Sequence, residues 1–168
     1  MGYYVAYGSN ISREQMKARC PGATVAGTGV LYGYRLVYQL SATGYYMNLH
    51  PAKGHITPVV VWEVSEEDEK TLDRYEGCPR YYRKTNLKIK LIRKVNGRRP
   101  TVIAFIYVIP VRKPLGLPKE RYVRICADGY REFGFNIETL ENAYWFTKQK
   151  MFEQTEYDDD RTWRVING

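Results

Sequence analysis

The sequence has few of the residues that build metal centres and disulfide frameworks. Its 168 residues include 3 cysteines and 2 histidines. Cys20, Cys78 and Cys126 are widely spaced and form no CxxC pair, which is typical of ordinary thiols in a reducing compartment. His50 and His55 lie in a turn-rich stretch without an acidic or cysteine neighbour. We therefore expect neither a disulfide nor a metal site.

Long apolar runs are also absent. No segment approaches the roughly 18 consecutive apolar residues of a membrane span, and the first residues lack the basic start and long apolar region of a signal peptide. We therefore expect a cytoplasmic protein that does not associate with membranes. The length suits one domain whose core needs no disulfide or metal. We expect that domain over residues 1–150, followed by a polar tail of unassigned role over residues 151–168.

The motifs of several large enzyme classes are missing. The sequence contains no GxGxxG after a strand, no P-loop, no GxSxG elbow and no HExxH pair. These absences exclude the common dinucleotide-binding enzymes, P-loop NTPases, α/β-hydrolases and zinc proteases.

Positive charge exceeds negative charge, with 26 Lys and Arg against 18 Asp and Glu, a net charge of +8. Much of the excess lies in Arg93-Lys94 and Arg98-Arg99, which flank the hairpin-turn signal Asn96-Gly97. We interpret these residues as a solvated hairpin tip. No nucleic-acid recognition motif and no basic stripe with interleaved aromatics lies outside it, so we expect no nucleic-acid partner.

Tyrosine is abundant, with 16 residues, and it favours half-buried strands and a pocket with hydroxyl donors. Hydrophobic periodicity predicts mostly antiparallel strands over residues 3–7, 23–40, 45–49, 58–64, 81–92 and 101–109. Helices are predicted from a capping box at Ser12 to Cys20, and over residues 66–76, 122–133 and 137–150.

The junction Tyr7-Gly8-Ser9-Asn10 lies between the first predicted strand and the first predicted helix. Glycine allows a ligand to approach the backbone closely, and free amides at a helix start bind anions. The junction could therefore hold a carboxylate or stabilise an oxyanion. The alternative is an ordinary turn, because Gly, Ser and Asn are common turn residues.

Glu76 is the last residue before the glycine that ends the predicted helix over residues 66–76. The negative end of the helix dipole and a tyrosine-rich wall both disfavour its ionised form. We therefore predict a raised pKa suited to proton transfer. The alternative is a solvated glutamate at a helix end, with Asp73 and Arg74 simply paired to neighbours.

Two blocks of sequence resemble the gamma-glutamylcyclotransferase superfamily, which includes the plant avirulence-induced-gene-like proteins. The first is Tyr4-Val5-Ala6-Tyr7-Gly8-Ser9-Asn10, similar to the substrate loop of the family. The second runs from Val61 to Gly77, contains Leu72-Asp73-Arg74-Tyr75-Glu76-Gly77, and is followed by Tyr81-Tyr82. The resemblance extends over about residues 3–135.

The resemblance implies an α+β fold, a small and mostly antiparallel β-barrel flanked by α-helices. It also implies an enzyme that converts a gamma-glutamyl amine or gamma-glutamyl amino acid to 5-oxoproline and a free amine or amino acid. No cofactor is implied, because the α-amine of the substrate attacks its own γ-carbonyl. Glu76 would be the catalytic general acid and base.

By the same resemblance the gamma-glutamyl group would be bound by the substrate loop and three further tyrosines, namely Tyr7, Gly8, Ser9, Asn10, Tyr82, Tyr107 and Tyr122. A non-catalytic ligand-binding module on the same fold is the alternative, because a fold does not guarantee turnover. The sequence names neither the leaving amine nor the oligomeric state. We expect three segments to shape the leaving-group side, namely the stretch 40–54, the loop over residues 110–118 and the tail that the resemblance does not cover.

Overall fold

The computed structural model describes the backbone of residues 1–92 and 98–167 and the side chains of residues 1–92 and 98–154. The predicted hairpin turn at Asn96-Gly97 lies outside these residues. The described chain contains five strands, four α-helices and a short 3₁₀ turn: β1 (Gly2–Ala6), the 3₁₀ turn (Ser9–Ile11), α1 (Arg13–Arg19), β2 (Thr24–Leu40), β3 (Tyr45–Val64), α2 (Glu66–Glu76), β4 (Arg83–Lys90), β5 (Thr101–Val108), α3 (Glu120–Phe133) and α4 (Glu138–Asn167).

The strands form one sheet in the order β2-β3-β1-β5-β4. Strands β1 and β3, β2 and β3, and β4 and β5 pair antiparallel. Only β1 and β5 pair in parallel within the described chain, with Tyr4 opposite Phe105. The prediction of a mixed, mostly antiparallel α+β fold is therefore confirmed.

The predicted closure of the sheet into a barrel is not observed. The sheet has two edges, β2 and β4, and no ladder joins them in the described residues. The edges do approach each other, because the Ile92 backbone N–H donates to the Thr28 carbonyl at 2.8 Å. A single hydrogen bond is not a strand pairing, so the sheet is open.

Strand β3 is one continuous strand, although the sequence predicted two. Its residues 45–51 and 56–59 pair with β2 only, residues 60–63 pair with both β2 and β1, and Val64 pairs with β1. Pro51 and Pro58 therefore lie where β3 has a free edge, and an edge tolerates residues without a backbone N–H. The two prolines and Gly54 in this stretch are residue types that usually interrupt a strand.

Local capping explains the helices that carry the site. Ser12 Oγ accepts from the Gln15 backbone N–H at 3.2 Å and begins α1. Ser65 and Asp68 form the capping box that begins α2, and Leu72 anchors this helix in the core with no exposed surface. Gly77 ends α2 in the left-handed conformation, at φ 61°. The predicted bounds of α2 are confirmed.

Helix α3 packs on the 3₁₀ turn, and α4 packs on β2. A Cβ on Gly129 of α3 would lie 2.8 Å from both Ile11 Cγ2 and the Ser12 backbone N, so the absence of a side chain allows α3 to pack closely on the 3₁₀ turn. On α4, Thr147 Oγ1 accepts from the Tyr38 backbone N–H of β2 at 3.1 Å. The core residues with no exposed surface include Val5, Val60 and Val61 of the central strands.

Helix α4 continues to Asn167, beyond the predicted end at residue 150. No glycine or proline occurs between residues 137 and 167, so the sequence contains no helix-stopping residue there. The polar composition of residues 151–168 predicts a tail, but polar residues are also compatible with a helix. No described helix has the length and apolar character needed to cross a membrane.

Candidate active site

A cavity of about 520 Å³ opens where the loop after β1, the end of α2 and the start of α3 meet. Loop residues 41–46 form another part of its wall. All of the site residues predicted from sequence line this cavity: Tyr7, Gly8, Ser9, Asn10, Glu76, Tyr82, Tyr107 and Tyr122. The fold therefore brings together residues that are up to 115 positions apart in the chain.

Glu76 supplies the cavity with a carboxylate. It is the last residue of α2, and the left-handed Gly77 turns the chain away immediately after it. Burial raises the pKa of Glu76 to about 7, and the positive charge of Arg19 offsets part of that effect. The direction of this shift agrees with the prediction, and burial is its main cause.

Asn10 connects the substrate loop to Glu76. Its Nδ2 donates to the Tyr4 hydroxyl at 3.0 Å and to Glu76 Oε1 at 3.4 Å. Its Oδ1 accepts from Arg19 Nη1 at 2.7 Å. The side chain is 3% exposed, so protein partners rather than solvent fix its amide. Asn10 therefore holds the loop against the carboxylate.

The backbone of the same loop is fixed from behind. Trp62 Nε1 on β3 donates to the Asn10 carbonyl at 2.9 Å. In the described chain no backbone carbonyl accepts a hydrogen bond from the N–H groups of Gly8, Ser9 or Asn10. A Cβ on Gly8 would lie 2.8 Å from the Tyr122 hydroxyl oxygen. Glycine is therefore the residue that fits between the loop and α3.

Three of the four predicted tyrosines use their hydroxyls to connect parts of the site. Tyr7 donates to the Tyr107 carbonyl at 2.6 Å, and Tyr107 donates to Asp73 Oδ1 at 2.6 Å. The Met47 backbone N–H donates to the Tyr122 hydroxyl at 3.1 Å. These phenols therefore hold the cavity wall in place.

Tyr82, the fourth predicted tyrosine, lies close to Glu76. It is 8% exposed, and burial, followed by the nearby negative charge of Glu76, raises the pKa of its phenol well above the usual value. Tyr82 therefore keeps its proton at neutral pH.

Asp73 lies one helical turn before Glu76 and has direct partners. Lys84 Nζ donates to Asp73 Oδ2 at 2.9 Å and to Glu69 Oε1 at 2.7 Å. Burial alone would raise the pKa of Asp73, but the hydrogen bonds from Tyr107 and Lys84 outweigh it and lower that pKa. Asp73 therefore stays ionised and anchors α2 to β4 and β5.

Sequence reasoning missed several residues that line the cavity, namely Tyr4, Arg19, Arg74, Lys119 and Arg121. Loop residues 41–46, which also line it, belong to the stretch 40–54 that was expected to shape the leaving-group side. The sequence does contain a signal for Arg19. The predicted helix that begins at Ser12 directly follows the substrate loop, and Arg19 is a cation in its last turn. Lys119 and Arg121 are neighbours of the predicted Tyr122, but no motif marks them.

In the described part of the chain no three His, Cys, Asp or Glu side chains come together as a metal site. Burial raises the pKa of the Cys126 thiol to about 12, and that of Cys20 to about 11. These two thiols are therefore protonated near neutral pH. Glu76 is the titratable side chain of the cavity whose pKa lies near neutrality.

Comparison with known proteins identifies related sequences. A family described as gamma-glutamyl cyclotransferase, AIG2-like, matches residues 4–127. The gamma-glutamylaminecyclotransferase of Rattus norvegicus is 34% identical over 59 residues, which are 34% of this chain and 40% of the rat protein. The match thus spans less than half the length of that relative.

Solved structures share the fold. One, a gamma-glutamyl cyclotransferase, is 21% identical with a TM-score of 0.73, over 84% of this chain and 85% of that protein. A yeast gamma-glutamyl cyclotransferase specific to glutathione is 11% identical with a TM-score of 0.60, over 89% of this chain and 96% of that protein. The family match covers both sequence blocks that carried the resemblance, and this chain belongs to the gamma-glutamyl cyclotransferase, AIG2-like family.

Proposed function

We propose that this protein is a cofactor-free cyclotransferase that converts a gamma-glutamyl amine or gamma-glutamyl amino acid to 5-oxoproline. The second product is the free amine or amino acid. The observation that carries the proposal is Glu76, a carboxylate in the cavity whose pKa is about 7. A group with this pKa both accepts and returns a proton efficiently at neutral pH.

The chemistry is an intramolecular acyl transfer. The α-nitrogen of the glutamyl group forms a bond to its own γ-carbonyl carbon, and the bond from that carbon to the leaving nitrogen breaks. Glu76 accepts a proton from the α-ammonium group, which makes the nitrogen nucleophilic. It then gives the proton to the leaving nitrogen, and a second transfer along the same route leaves a neutral lactam.

Both reacting groups belong to one molecule, so the protein has mainly to hold the conformer that closes the five-membered ring. Holding a near-attack geometry supplies a large part of the rate in such reactions. The rigid loop around Asn10 suits this task, because its side chain and backbone are tied to Arg19 and Trp62. The N–H groups of Gly8 and Ser9 would bind the glutamyl carboxylate or the developing oxyanion.

The test is release of 5-oxoproline from a panel of gamma-glutamyl amines, gamma-glutamyl amino acids and glutathione. We expect turnover by the wild-type protein and a loss of about 10²- to 10⁴-fold in kcat/KM for Glu76→Gln, the range of general acid–base catalysis. Glu69→Gln is the matched control, because Glu69 lies on the same helix but contacts Lys84 and does not line the cavity.

Both variants must retain the circular dichroism spectrum of the wild type. A folded wild-type protein that releases no 5-oxoproline from the whole panel contradicts the proposal and favours the binding-module alternative. Equal activity of Glu76→Gln and wild type contradicts the role of Glu76.

A further inference from the structure

The lining of the cavity is unbalanced in charge. Four cationic side chains line it, whereas Glu76 is the only carboxylate among its described residues. The cations are Arg19, Arg74, Lys119 and Arg121. A cavity with this balance raises the local concentration of anionic ligands and repels cationic ones.

Two of the four cations have protein partners. Arg19 Nη1 donates to Asn10 Oδ1 at 2.7 Å, and its guanidinium lies 4.6 Å from the centre of the Tyr75 ring. Arg74 Nη2 donates to Thr71 Oγ1 at 3.0 Å. These contacts give both arginines a role within the fold.

Lys119 and Arg121 differ from that pair. Both are exposed, and neither forms an ion pair with any side chain in the described ranges. Their charges therefore face the opening of the cavity without a counter-ion from this part of the chain. An anion that enters the opening would meet two uncompensated cations.

Lys119 and Arg121 are placed to contact the outer part of a bound ligand. They lie three residues and one residue before Tyr122, which is partly buried and whose hydroxyl lies beside Gly8 and the Met47 backbone N–H. Glu76 and the loop at Asn10 form the inner part of the site, where the glutamyl group is proposed to react. The leaving group is then the part of the substrate that extends towards solvent, past Lys119 and Arg121.

We propose that Lys119 and Arg121 form a subsite for carboxylates on the leaving group. The preferred substrates are then gamma-glutamyl conjugates of acidic amino acids, or of peptides that carry several carboxylates. This inference rests on the proposed function. The two residues are specificity-determining residues of the same reaction, because they meet the part of the substrate that does not react.

The expected effect of a leaving-group carboxylate on kcat/KM is small, because Lys119 and Arg121 are exposed. An ion pair at an exposed site changes an equilibrium by about two- to fivefold, and salt screens it. Charges at the rim of a site act mainly on the association rate. We therefore expect each added carboxylate to raise kcat/KM by about two- to fivefold at low salt, with a smaller effect on kcat.

Three substrates differ in the number of carboxylates on the leaving group. Gamma-glutamylethylamine has none on its leaving group, gamma-glutamylalanine has one and gamma-glutamylglutamate has two. Release of 5-oxoproline is measured for each with the wild type and with the double variant Lys119→Gln/Arg121→Gln. Arg112→Gln is the control, because Arg112 is exposed and does not line the cavity.

We expect kcat/KM of the wild type and of Arg112→Gln to rise along the series, and the rise to shrink at high salt. The double variant loses the rise but keeps its turnover of gamma-glutamylethylamine. Equal kcat/KM for all three substrates with the wild type overturns the subsite and leaves the proposed function intact. An undiminished rise in the double variant also overturns it.

Absence of turnover with every substrate contradicts the proposed function instead. Calorimetric binding of the same three compounds then decides about the subsite. Tighter binding of gamma-glutamylglutamate to the wild type, lost in the double variant, supports a carboxylate subsite. Equal binding, or no binding, overturns it.

Discussion

Two regions of helix α2 shift the pKa of a carboxylate in opposite directions. Around Asp73, α2 faces β4 and β5, and Tyr107 and Lys84 both donate to the carboxylate. Around Glu76, α2 ends at the cavity, and the nearest donor is Asn10 Nδ2 at 3.4 Å. The pKa of Asp73 is lowered, whereas that of Glu76 is raised to about 7.

The difference shows that partners, rather than place in the helix, decide the proton affinity of a carboxylate. Both groups lose water on folding, and burial raises the pKa of each. At Asp73 two strong donors more than replace that water. At Glu76 no comparable pair of donors replaces the lost water, so the carboxylate still binds a proton near neutral pH. One carboxylate is therefore structural, and the other is available for proton transfer.

We expect the largest change in stability from removing the carboxylate of Glu76. The ordinary value for Glu76 is 4.5 and the folded value is about 7, so the folded state binds more protons than the unfolded state between these pH values. Stability contributed by Glu76 is complete below pH 4.5 and is lost as pH rises through 7. We expect Glu76→Gln to gain about 3 kcal/mol relative to wild type between pH 4 and pH 8.

Urea unfolding across this pH range measures the change. Glu69→Gln is again the control, because Glu69 is partly exposed and paired with Lys84. A stability difference between Glu76→Gln and wild type that does not change with pH would contradict the raised pKa.

Removing the carboxylate of Asp73 should change stability with the opposite pH dependence. Asp73→Ala loses the acceptor for Tyr107 and Lys84, and we expect a loss of about 2 kcal/mol at pH 7, within the range of hydrogen bonds to charged groups. Because the pKa of Asp73 is lowered, this loss is complete above its ordinary value of 3.8 and fades as pH falls below it.

Asp73→Asn separates the two contacts. It keeps an acceptor for the Tyr107 hydroxyl but removes the negative charge beside Lys84, so we expect an intermediate stability. Thermal unfolding of both variants measures the effect. Asp73→Ala with wild-type stability at pH 7 would show that this network does not anchor α2.

The smallest change should come from Arg19, which acts on Glu76 through its charge. Arg19 lowers the pKa of Glu76, so Arg19→Gln should move the acid limb of the kcat/KM profile to higher pH. At a pH on this limb we expect activity to fall by about two- to fivefold, as for a single partly exposed charge. A limb that moves to lower pH would be inconsistent with this electrostatic role.

Much of the site could be predicted because its signals are local. The glycine stop at Gly77 predicted the end of α2, and with it the terminal position of Glu76. The glycine junction at Gly8 located the substrate loop. Local chemistry of this kind does not depend on the rest of the fold.

Other features depend on contacts between distant segments and could not be predicted. Strand β3 is continuous through Pro58 because of where β1 stops pairing with it. The open edges of the sheet depend on how β2 and β4 approach each other. The connection from Arg19 through Asn10 to Glu76, and the partners of Asp73, require the packed structure.

The most direct test of the account is an NMR titration of the side-chain carboxyl carbons of Glu76 and Asp73, assigned with Glu76→Gln and Asp73→Asn. We predict that Glu76 titrates with a midpoint of about 7, whereas Asp73 titrates below its ordinary value of 3.8. A midpoint for Glu76 at or below 4.5, its ordinary value, would contradict its role as the proton-transferring group.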